Sequence, residues 1–174
     1  MSATVTEVRR TYKYRLYRND KRDKHLHAQI TIAGTVWNHA LALQKRYYRL
    51  TGKYIPLGIM EKHIAKLRMR TSHYSFWKQV GSQAVQDILH RLDAGYMRFF
   101  HGLAQRPPKY KKVRQRKSFT LKQAGWKLLG GNKVQISGRI YKFVKHRDLP
   151  GKVQTLTIKR TGCSGPTVAV LQCD

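Results

Sequence analysis

Acidic residues are scarce in this sequence. Eight Asp and Glu stand against 36 Lys and Arg in 174 residues, which gives a formal net charge of +28. A compact domain with this charge repels itself, so we expect a polyanion, and nucleic acid first of all, in its working state. Metal-dependent phosphodiester cleavage needs carboxylates that converge on one or two cations. The eight acids are dispersed along the chain, so we predict no metal site and no catalytic residue.

Cysteine and long apolar runs are equally limited. Cys163 and Cys173 have nine residues between them, a spacing that matches neither a zinc site nor a Cys-x-x-Cys redox pair, and we predict that both are reduced strand residues. Residues 1–10 lack the apolar run of a signal peptide, and no stretch approaches the roughly 20 apolar residues of a membrane span. The expected location is the cytoplasm, with association to the nucleoid when DNA is bound.

Enough apolar material is present for a core, because hydrophobic residues make up 41% of the chain. Residues 8–17 alternate with a period of two, with Tyr12 and Tyr14 on one side and Lys13 and Arg15 on the other. This alternation predicts a strand with one basic face. The aromatic residues assigned to core packing are Tyr14, Phe119 and Phe143.

Helical periodicity follows this strand. Asn19 and Asp20 supply turn and helix-start chemistry, and the first helix is predicted to end at Gly52. Its apolar stripe consists of Leu26, Ile30, Ala33, Trp37, Leu41 and Tyr48. A second, shorter helix is predicted between residues 59 and 67, then a loop over 71–77. A third helix is predicted to begin at Ser82, a good N-cap residue, with a stripe that extends to Leu103.

The composition changes at Arg106. Residues 106–117 contain two prolines, no acid and seven Lys and Arg, so a basic linker is predicted rather than a helix. Beyond it, short alternating runs separated by Gly turns predict strands that form a small barrel. The predicted strands cover residues 118–121, 126–129, 134–136, 140–144, 153–159 and 168–171. The expected fold class is therefore α+β.

Positive charge is unevenly distributed along the chain. Residues 1–20 carry +3, residues 21–105 carry +10, and residues 106–174 carry +15. No acid occurs between Asp93 and Asp148, although fifteen Lys and Arg do. So long a run of one sign favours nucleic-acid contact over an ordinary solvated face. Aromatic residues are interleaved with these cations, and such residues can stack on exposed bases.

Several segments, taken together and in this order, resemble the N-terminal half of TnpB, the transposon-encoded RNA-guided nuclease family related to compact type V CRISPR effectors. The resemblance covers nearly the whole chain. Each motif alone is weak, and five in sequence are a strong signal. The segments are residues 12–17 (YKYRLY), 36–39 (VWNH), 91–94 (RLDA) with 99–100 (FF), 107–112 (PPKYKK) with 118–119 (SF), and 146–151 (HRDLPG) with 155–160 (TLTIKR).

The resemblance implies an architecture and a set of partners. It implies a small OB-like β-barrel, the wedge domain, with an inserted three-helix recognition domain. Residues 1–20 would supply the first barrel strand, residues 21–105 the helical domain, and residues 106–174 the basic linker and the remaining barrel. In that family these domains hold a structured guide RNA and target double-stranded DNA, and contact a short flanking motif, while base pairing carries the sequence information.

Individual residues can be carried over from the family pattern. Gln86 matches a motif-reading glutamine early in the third helix, and Ser82, one turn earlier, matches a second contacting position or serves only as a helix cap. Lys122 and Gln123 match wedge-domain residues that approach the same DNA. Glutamine suits adenine edges and lysine suits guanine edges. The predicted contacts to RNA or to phosphates are Lys13, Arg15, Lys109, Tyr110, Lys111, Lys112, Arg114, Arg116, Lys117, Lys145 and Arg147.

The sequence also departs from the family pattern. Arg18 follows the first strand where the family usually has proline, and the sequence stops at Asp174, where the family's RuvC-like nuclease would begin. We therefore expect a nucleic-acid-binding protein that does not itself cut, with no cofactor of its own. Two alternatives remain: the recognition subunit of a split nuclease whose RuvC chain, with Mg²⁺, is a separate partner, and a general basic RNA-binding protein.

Overall fold

The computed structural model describes residues 10–149, 152–161 and 167–173, except for the side chain of Arg114. In these ranges one strand precedes three α-helices, and six strands follow them. The helices are α1 (Asp20–Thr51), α2 (Leu57–Arg70) and α3 (Ser82–Phe100), with short 3₁₀ helices at Ser72–Gln79 and Val113–Gln115. The strands are β1 (Arg10–Arg15), β2 (Ser118–Leu121), β3 (Trp126–Leu128), β4 (Lys133–Ile136), β5 (Arg139–Lys142), β6 (Val153–Arg160) and β7 (Thr167–Cys173).

The strands form two antiparallel sheets. A four-stranded sheet has the order β1, β7, β6, β2, and a three-stranded sheet has the order β3, β4, β5. The sheets meet at one corner, where a bridge joins Leu16 to Phe143 and the Val144 N–H donates to the Arg15 carbonyl at 2.8 Å. The sheets are not closed into a barrel, because β2 and β3 stay at the outer edges of their sheets. The α+β class is confirmed, and the OB-like barrel is not.

The local signals around α1 are confirmed. Asn19 is the N-cap, and its side chain accepts a hydrogen bond from the Arg22 N–H at 3.1 Å, while the Asp23 carboxylate accepts from the Asn19 N–H at 3.3 Å. The helix ends where Gly52 adopts a left-handed conformation with φ of 68°, which glycine adopts without steric cost. The six-residue strand β1 also alternates as predicted, since Tyr14 is buried while Lys13 and Arg15 are exposed.

One continuous hydrophobic core joins the helices to both sheets. It includes the predicted aromatic residues Tyr14, Phe119 and Phe143, all of them buried. Gln29 lies buried at the junction, where its amide nitrogen donates to the Gln79 carbonyl at 2.8 Å and to the Ser137 hydroxyl at 3.1 Å. These two bonds tie α1 to the first 3₁₀ helix and to the turn between β4 and β5, so the helical and sheet regions pack as neighbours.

Four expectations are corrected. Residues 71–77 are not a loop, because Ser72–Gln79 form a 3₁₀ helix around the buried Trp77. Ser82 is not the N-cap of α3, since Gly81 occupies that position and Ser82 is the first helical residue. Tyr48 is exposed because the last two turns of α1 extend past the core, and Leu103 is exposed because α3 ends at Phe100.

The two cysteines were predicted to be strand residues. Cys173 is buried at the end of β7, whereas Cys163 lies outside the described residues.

An aromatic cluster orders the first 3₁₀ helix against α1. The His39 ring lies 5.0 Å from the Tyr74 ring and 5.1 Å from the Trp77 ring, measured between centroids. The Trp77 indole N–H donates to the Thr35 hydroxyl at 3.0 Å. Burial lowers the pKa of His39, and the nearby His63 lowers it further.

We expect the protein to lose stability in mild acid, partly through His39. Because its folded pKa lies below the unfolded value of about 6.5, the unfolded chain takes up the proton more readily. The His39 contribution is therefore fully present above about pH 6.5 and decreases as the pH falls below it. Urea unfolding at pH 7.5 and pH 5 should show a smaller loss of unfolding free energy for His39→Gln than for the wild type.

His101→Gln, at an exposed position just beyond α3, is the matched control. Between pH 7.5 and pH 5 this variant should lose as much unfolding free energy as the wild type does. An equal loss for His39→Gln and the wild type would show that the His39 environment does not resist protonation.

Candidate nucleic-acid interface

Residues 106–117, here named the basic strap, lie along α1 and α3. The Asn38 side chain forms a two-way pair with the backbone of Lys111: its amide nitrogen donates to the Lys111 carbonyl at 2.7 Å, and its oxygen accepts from the Lys111 N–H at 2.9 Å. The Trp37 indole N–H donates to the Lys109 carbonyl at 3.2 Å. The linker predicted from composition is thus fixed to α1 by three hydrogen bonds to its backbone.

Two helical glycines allow the strap to approach this closely. A Cβ atom on Gly34 of α1 would lie 3.3 Å from the Val113 Cα atom, and a Cβ on Gly95 of α3 would lie 3.0 Å from the Pro108 ring. Glycine inside a helix costs about 1 kcal/mol relative to alanine. Here close packing of the strap accounts for glycine at both positions.

The cations of the strap have different environments. Lys109, Lys111, Lys112 and Lys117 are exposed, and the Lys111 ammonium also lies 3.8 Å from the centre of the Trp37 ring. Tyr110 is exposed and lies under the Lys45 ammonium, 4.5 Å from it. The Arg114 side chain lies outside the described residues. The four lysines of the strap are therefore all exposed, and Lys111 also has a structural role.

Arg116 connects the strap to the four-stranded sheet. It is half-buried, and its Nε donates to the Ser118 carbonyl at 3.2 Å, while the Arg160 Nε donates to the Arg116 carbonyl at 3.1 Å. Burial, together with the nearby Arg91, lowers the pKa of Arg116 to about 10. Burial also lowers the pKa of Lys111, with smaller contributions from Arg116 and Arg91. The pKa of Arg116 leaves it charged at neutral pH.

Arg91 of α3 completes a cationic group that the charge count did not single out. Its guanidinium pairs with Asp87 at 2.8 Å and donates to the Thr120 hydroxyl of β2 at 2.8 Å. Arg91, Lys111 and Arg116 act on one another electrostatically, and Asp87 is the acid that offsets Arg116. This junction of α3, the strap and β2 carries excess positive charge, which an anion would stabilise.

The predicted DNA-motif residues lie on two neighbouring segments. Ser82 and Gln86 are exposed and one turn apart on α3. Lys122, half-buried, and Gln123, exposed, directly follow β2. A Cβ on Gly81 would lie 3.7 Å from the Leu121 side chain, so the start of α3 and the end of β2 are in contact. The two segments that carry the four residues are therefore neighbours in the fold.

The other predicted contacts form a group around β1. Lys13 and Arg15 lie on its exposed face. The Tyr14 hydroxyl donates to the Arg147 carbonyl at 3.1 Å, which fixes the segment that carries Lys145 and Arg147 beside β1. Lys145 pairs with Asp148 at 2.6 Å, and this hydrogen bond raises the pKa of Lys145. Contacts of the strap, by contrast, go to α1, α3 and the adjoining strands.

Sequence reasoning missed the residues that hold the strap. The sequence pointed to Asn38 and Arg91 only as parts of motifs, and to Trp37 as part of a motif and of the apolar stripe of α1. The signal for Arg91 was present, because Asp87 and Arg91 have the i,i+4 spacing of a helical ion pair. Nothing in the sequence linked Asn38 to Lys111, since 73 positions separate them.

Two negative findings apply to the described ranges only. There, no group of three or more His, Cys, Asp or Glu side chains is arranged to hold a metal ion. None of the helices described is both long and apolar enough to cross a membrane.

Comparison with known families gives a match to the first part of the chain. Residues 6–53 match a family model described as a helix-turn-helix domain, HTH_OrfB_IS605. The match covers rather more than a quarter of the chain, so this part of the sequence is similar to the helix-turn-helix domain of that family. No curated protein matches the chain.

The matched region has a simple structure. Its described part consists of β1, the single long helix α1 and the Gly52 stop. The turn and α2 follow directly after it. Trp37 and Asn38, which hold the strap, belong to the matched region.

We expect Asn38→Ala to loosen the strap. The substitution removes both hydrogen bonds to the Lys111 backbone, each worth about 0.5–1.5 kcal/mol. Local opening should rise about tenfold, because 1.4 kcal/mol corresponds to a factor of ten. Limited trypsin digestion, followed by mass spectrometry, should show correspondingly faster cleavage between residues 109 and 117.

Thr51→Ala is the control, because the Thr51 hydroxyl donates to the Tyr47 carbonyl within α1 and does not contact the strap. It should leave cleavage of the strap unchanged. If Asn38→Ala and Thr51→Ala were cleaved at the same rate, the Asn38 pair would not hold the strap in solution.

Proposed function

We propose that this protein is an RNA-guided nucleic-acid-binding protein of the TnpB type, which holds a structured guide RNA and a target DNA with its flanking motif. The observation that carries the proposal is the basic strap, an acid-free segment fixed on two helices with Lys109, Lys112 and Lys117 exposed. The proposed location is the cytoplasm, on the nucleoid when DNA is bound.

The ordered strap favours a polyanionic ligand for a physical reason. Cations on a fixed backbone need little further ordering when they meet a row of phosphates, so less conformational entropy is lost on binding. Each lysine that neutralises a phosphate also releases condensed counterions. The excess charge at the junction of Arg91, Lys111 and Arg116 would be relieved by the same ligand.

The choice of a guide RNA and a DNA target rests on the ordered motifs and on the family match to residues 6–53. In this proposal the two sheets act as the wedge domain and α1 to α3 as the inserted recognition domain. The protein supplies charge and shape, while base pairing between guide and target supplies sequence recognition.

The motif-reading role is proposed for the contact between α3 and the end of β2. Gln86 and Gln123 present exposed amides, which can form paired hydrogen bonds with adenine. Ser82 is the first helical residue of α3 and not its N-cap, so we no longer consider a capping role for it. Its side chain is exposed, one turn before Gln86. Lys122 would approach the same duplex from β2.

We infer that this chain does not cut the nucleic acid it binds. The described carboxylates have separate neighbours: Asp20 pairs with Arg18, Asp23 with the Asn19 backbone, Asp87 with Arg91, Asp93 with Tyr54 and Asp148 with Lys145, and a Glu61 oxygen lies 3.3 Å from the His90 ring nitrogen. In the described ranges these acids therefore lie apart from one another, and no three of them are gathered around a possible cation site. Cleavage of bound DNA would need Mg²⁺ and a carboxylate cluster beyond the described residues, which a nuclease partner would supply in the split-nuclease alternative.

The first test is the nucleic acid that co-purifies with the protein. Sequencing should return one discrete structured RNA, and the protein with this RNA, a matched DNA and Mg²⁺ should bind without cleaving. Heterogeneous RNA would instead support a general basic RNA-binding protein. Cutting by the chain alone would contradict the proposal, and cutting only after addition of a second chain would identify a split nuclease.

We expect Gln86→Ala to weaken binding to one flanking motif selectively. Loss of a paired contact to a base costs about 1–3 kcal/mol at the position it reads. Affinities of the RNA-loaded protein for DNAs that differ only in the flanking motif should therefore converge in the variant.

Two comparisons make this result specific. Gln105→Ala removes an exposed glutamine beyond α3 and should keep the motif preference. The double variant Lys109→Ala with Lys112→Ala should weaken binding to all of these DNAs equally. It should also reduce the slope of log affinity against log salt concentration by about 2. Lys111 is left intact because its ammonium packs on Trp37. Equal losses across motifs for Gln86→Ala would remove it from the motif-reading site.

A further inference from the structure

A cleft lies between the two sheets at the side where they do not close, and we name it the inter-sheet cleft. β2 ends at Leu121, which pairs with Leu156, so β6 extends beyond β2 by the residues Val153–Thr155. β3 forms the outer edge of its own sheet. The cleft between these two strands has a volume of about 710 Å³ and is lined in part by Gln123, Trp126, Lys127, Leu128, Lys152 and Val153. This volume is within the range of small-ligand sites.

The lining combines an apolar floor with positive charge. Trp126, Leu128 and Val153 supply the apolar surface, and Lys127 and Lys152 are its charged members among the described residues. Gln123, for which the family resemblance implies DNA contact, adds an amide that can both donate and accept. Such a lining suits a ligand that has a flat apolar part, a polar edge and a negative charge.

Trp126 is held in position within this cleft. Its indole N–H donates to the Lys122 carbonyl at 2.7 Å, and its backbone pairs with Ile136 of β4. The ring is half-buried, so part of its surface faces the cleft. A ring fixed in this way loses little freedom when a second flat group stacks on it.

From this arrangement we propose that the inter-sheet cleft binds one unpaired nucleotide of a nucleic-acid single strand, with its base on Trp126 and its phosphates near Lys127 and Lys152. The proposal rests on the nucleic-acid binding proposed above and deepens it, because it assigns a single-strand subsite apart from the strap.

Charge favours this occupant over a peptide strand, which could also pair with the outer edge of β3. A peptide gains its affinity there from backbone hydrogen bonds and has no general need for two lysines and an exposed indole face. A nucleotide uses both features, since lysine neutralises phosphate and base stacking on an aromatic ring contributes substantially to single-strand affinity.

Tryptophan fluorescence of the full chain gives a direct test. Trp37 and Trp77 are 6% and 1% exposed, so quenching by stacked bases should come mainly from Trp126. The probes are an eight-nucleotide adenine RNA and the matching DNA, each compared with the same strand lacking bases. Both base-bearing strands should quench the emission, and a preference between them would identify the source of the nucleotide as RNA or DNA.

The variants separate stacking from charge. Trp126→Ala should weaken single-strand binding about tenfold to a hundredfold, measured by anisotropy of a labelled strand, whereas Trp126→Phe should retain most of the affinity. Lys152→Gln changes an exposed side chain and should weaken binding with a reduced salt slope, which keeps the test valid if Trp126→Ala fails to fold. Lys24→Gln, exposed on α1, is the matched control for charge.

Failure of this proposal differs from failure of nucleic-acid binding as a whole. If Trp126→Ala and Lys152→Gln bind the strands like the wild type, or if strands without bases bind as well as those with bases, the cleft holds no base. If the emission responds to an extended acidic peptide and not to either strand, the cleft is a peptide site. If the wild type binds neither strand nor duplex, the proposed function itself is wrong.

Discussion

The pairing of the Asn38 side chain with the Lys111 backbone is the contact on which the arrangement of this surface depends. One amide satisfies the donor and the acceptor of a residue in an otherwise irregular segment, much as a neighbouring strand would. It holds a segment with seven Lys and Arg against α1 in spite of the repulsion among its cations. The same segment then passes directly into β2, so the placement of the helices and of the four-stranded sheet is linked through it.

Features that depend on neighbouring residues could be predicted from the sequence. The alternation of β1, the Asn19 cap and the Gly52 stop are local, and the structure has all three. The later strands also begin and end within a few residues of the predicted bounds, because Gly turns separate them. The helical periodicity failed only where packing ends: Tyr48 continues the apolar stripe of α1, but no layer covers that part of the helix in the described chain.

Features that depend on distant residues could not be predicted. From the sequence alone, Gly34 and Gly95 are unfavourable helix residues. Only the close approach of Val113 to Gly34 and of Pro108 to Gly95 explains why glycine occurs there. The charge count treats Lys109 and Lys111 alike, and both are exposed, but only the Lys111 ammonium lies over the Trp37 ring. Whether short strands close into a barrel depends on pairing between β2 and β3, and period-two patterns carry no information on such pairing.

The residues that pack against α1 and α3 include part of the strap, which follows the end of α3. Pro108 and Val113 cover glycines of α3 and α1, and the Trp37 and Asn38 side chains use backbone groups of residues 109 and 111. A fragment that ended at residue 105 would expose the Trp37 ring and leave the Asn38 amide to water. An autonomous helical fragment of this protein would therefore have to extend through residue 117, so its minimal folding unit is longer than its last helix.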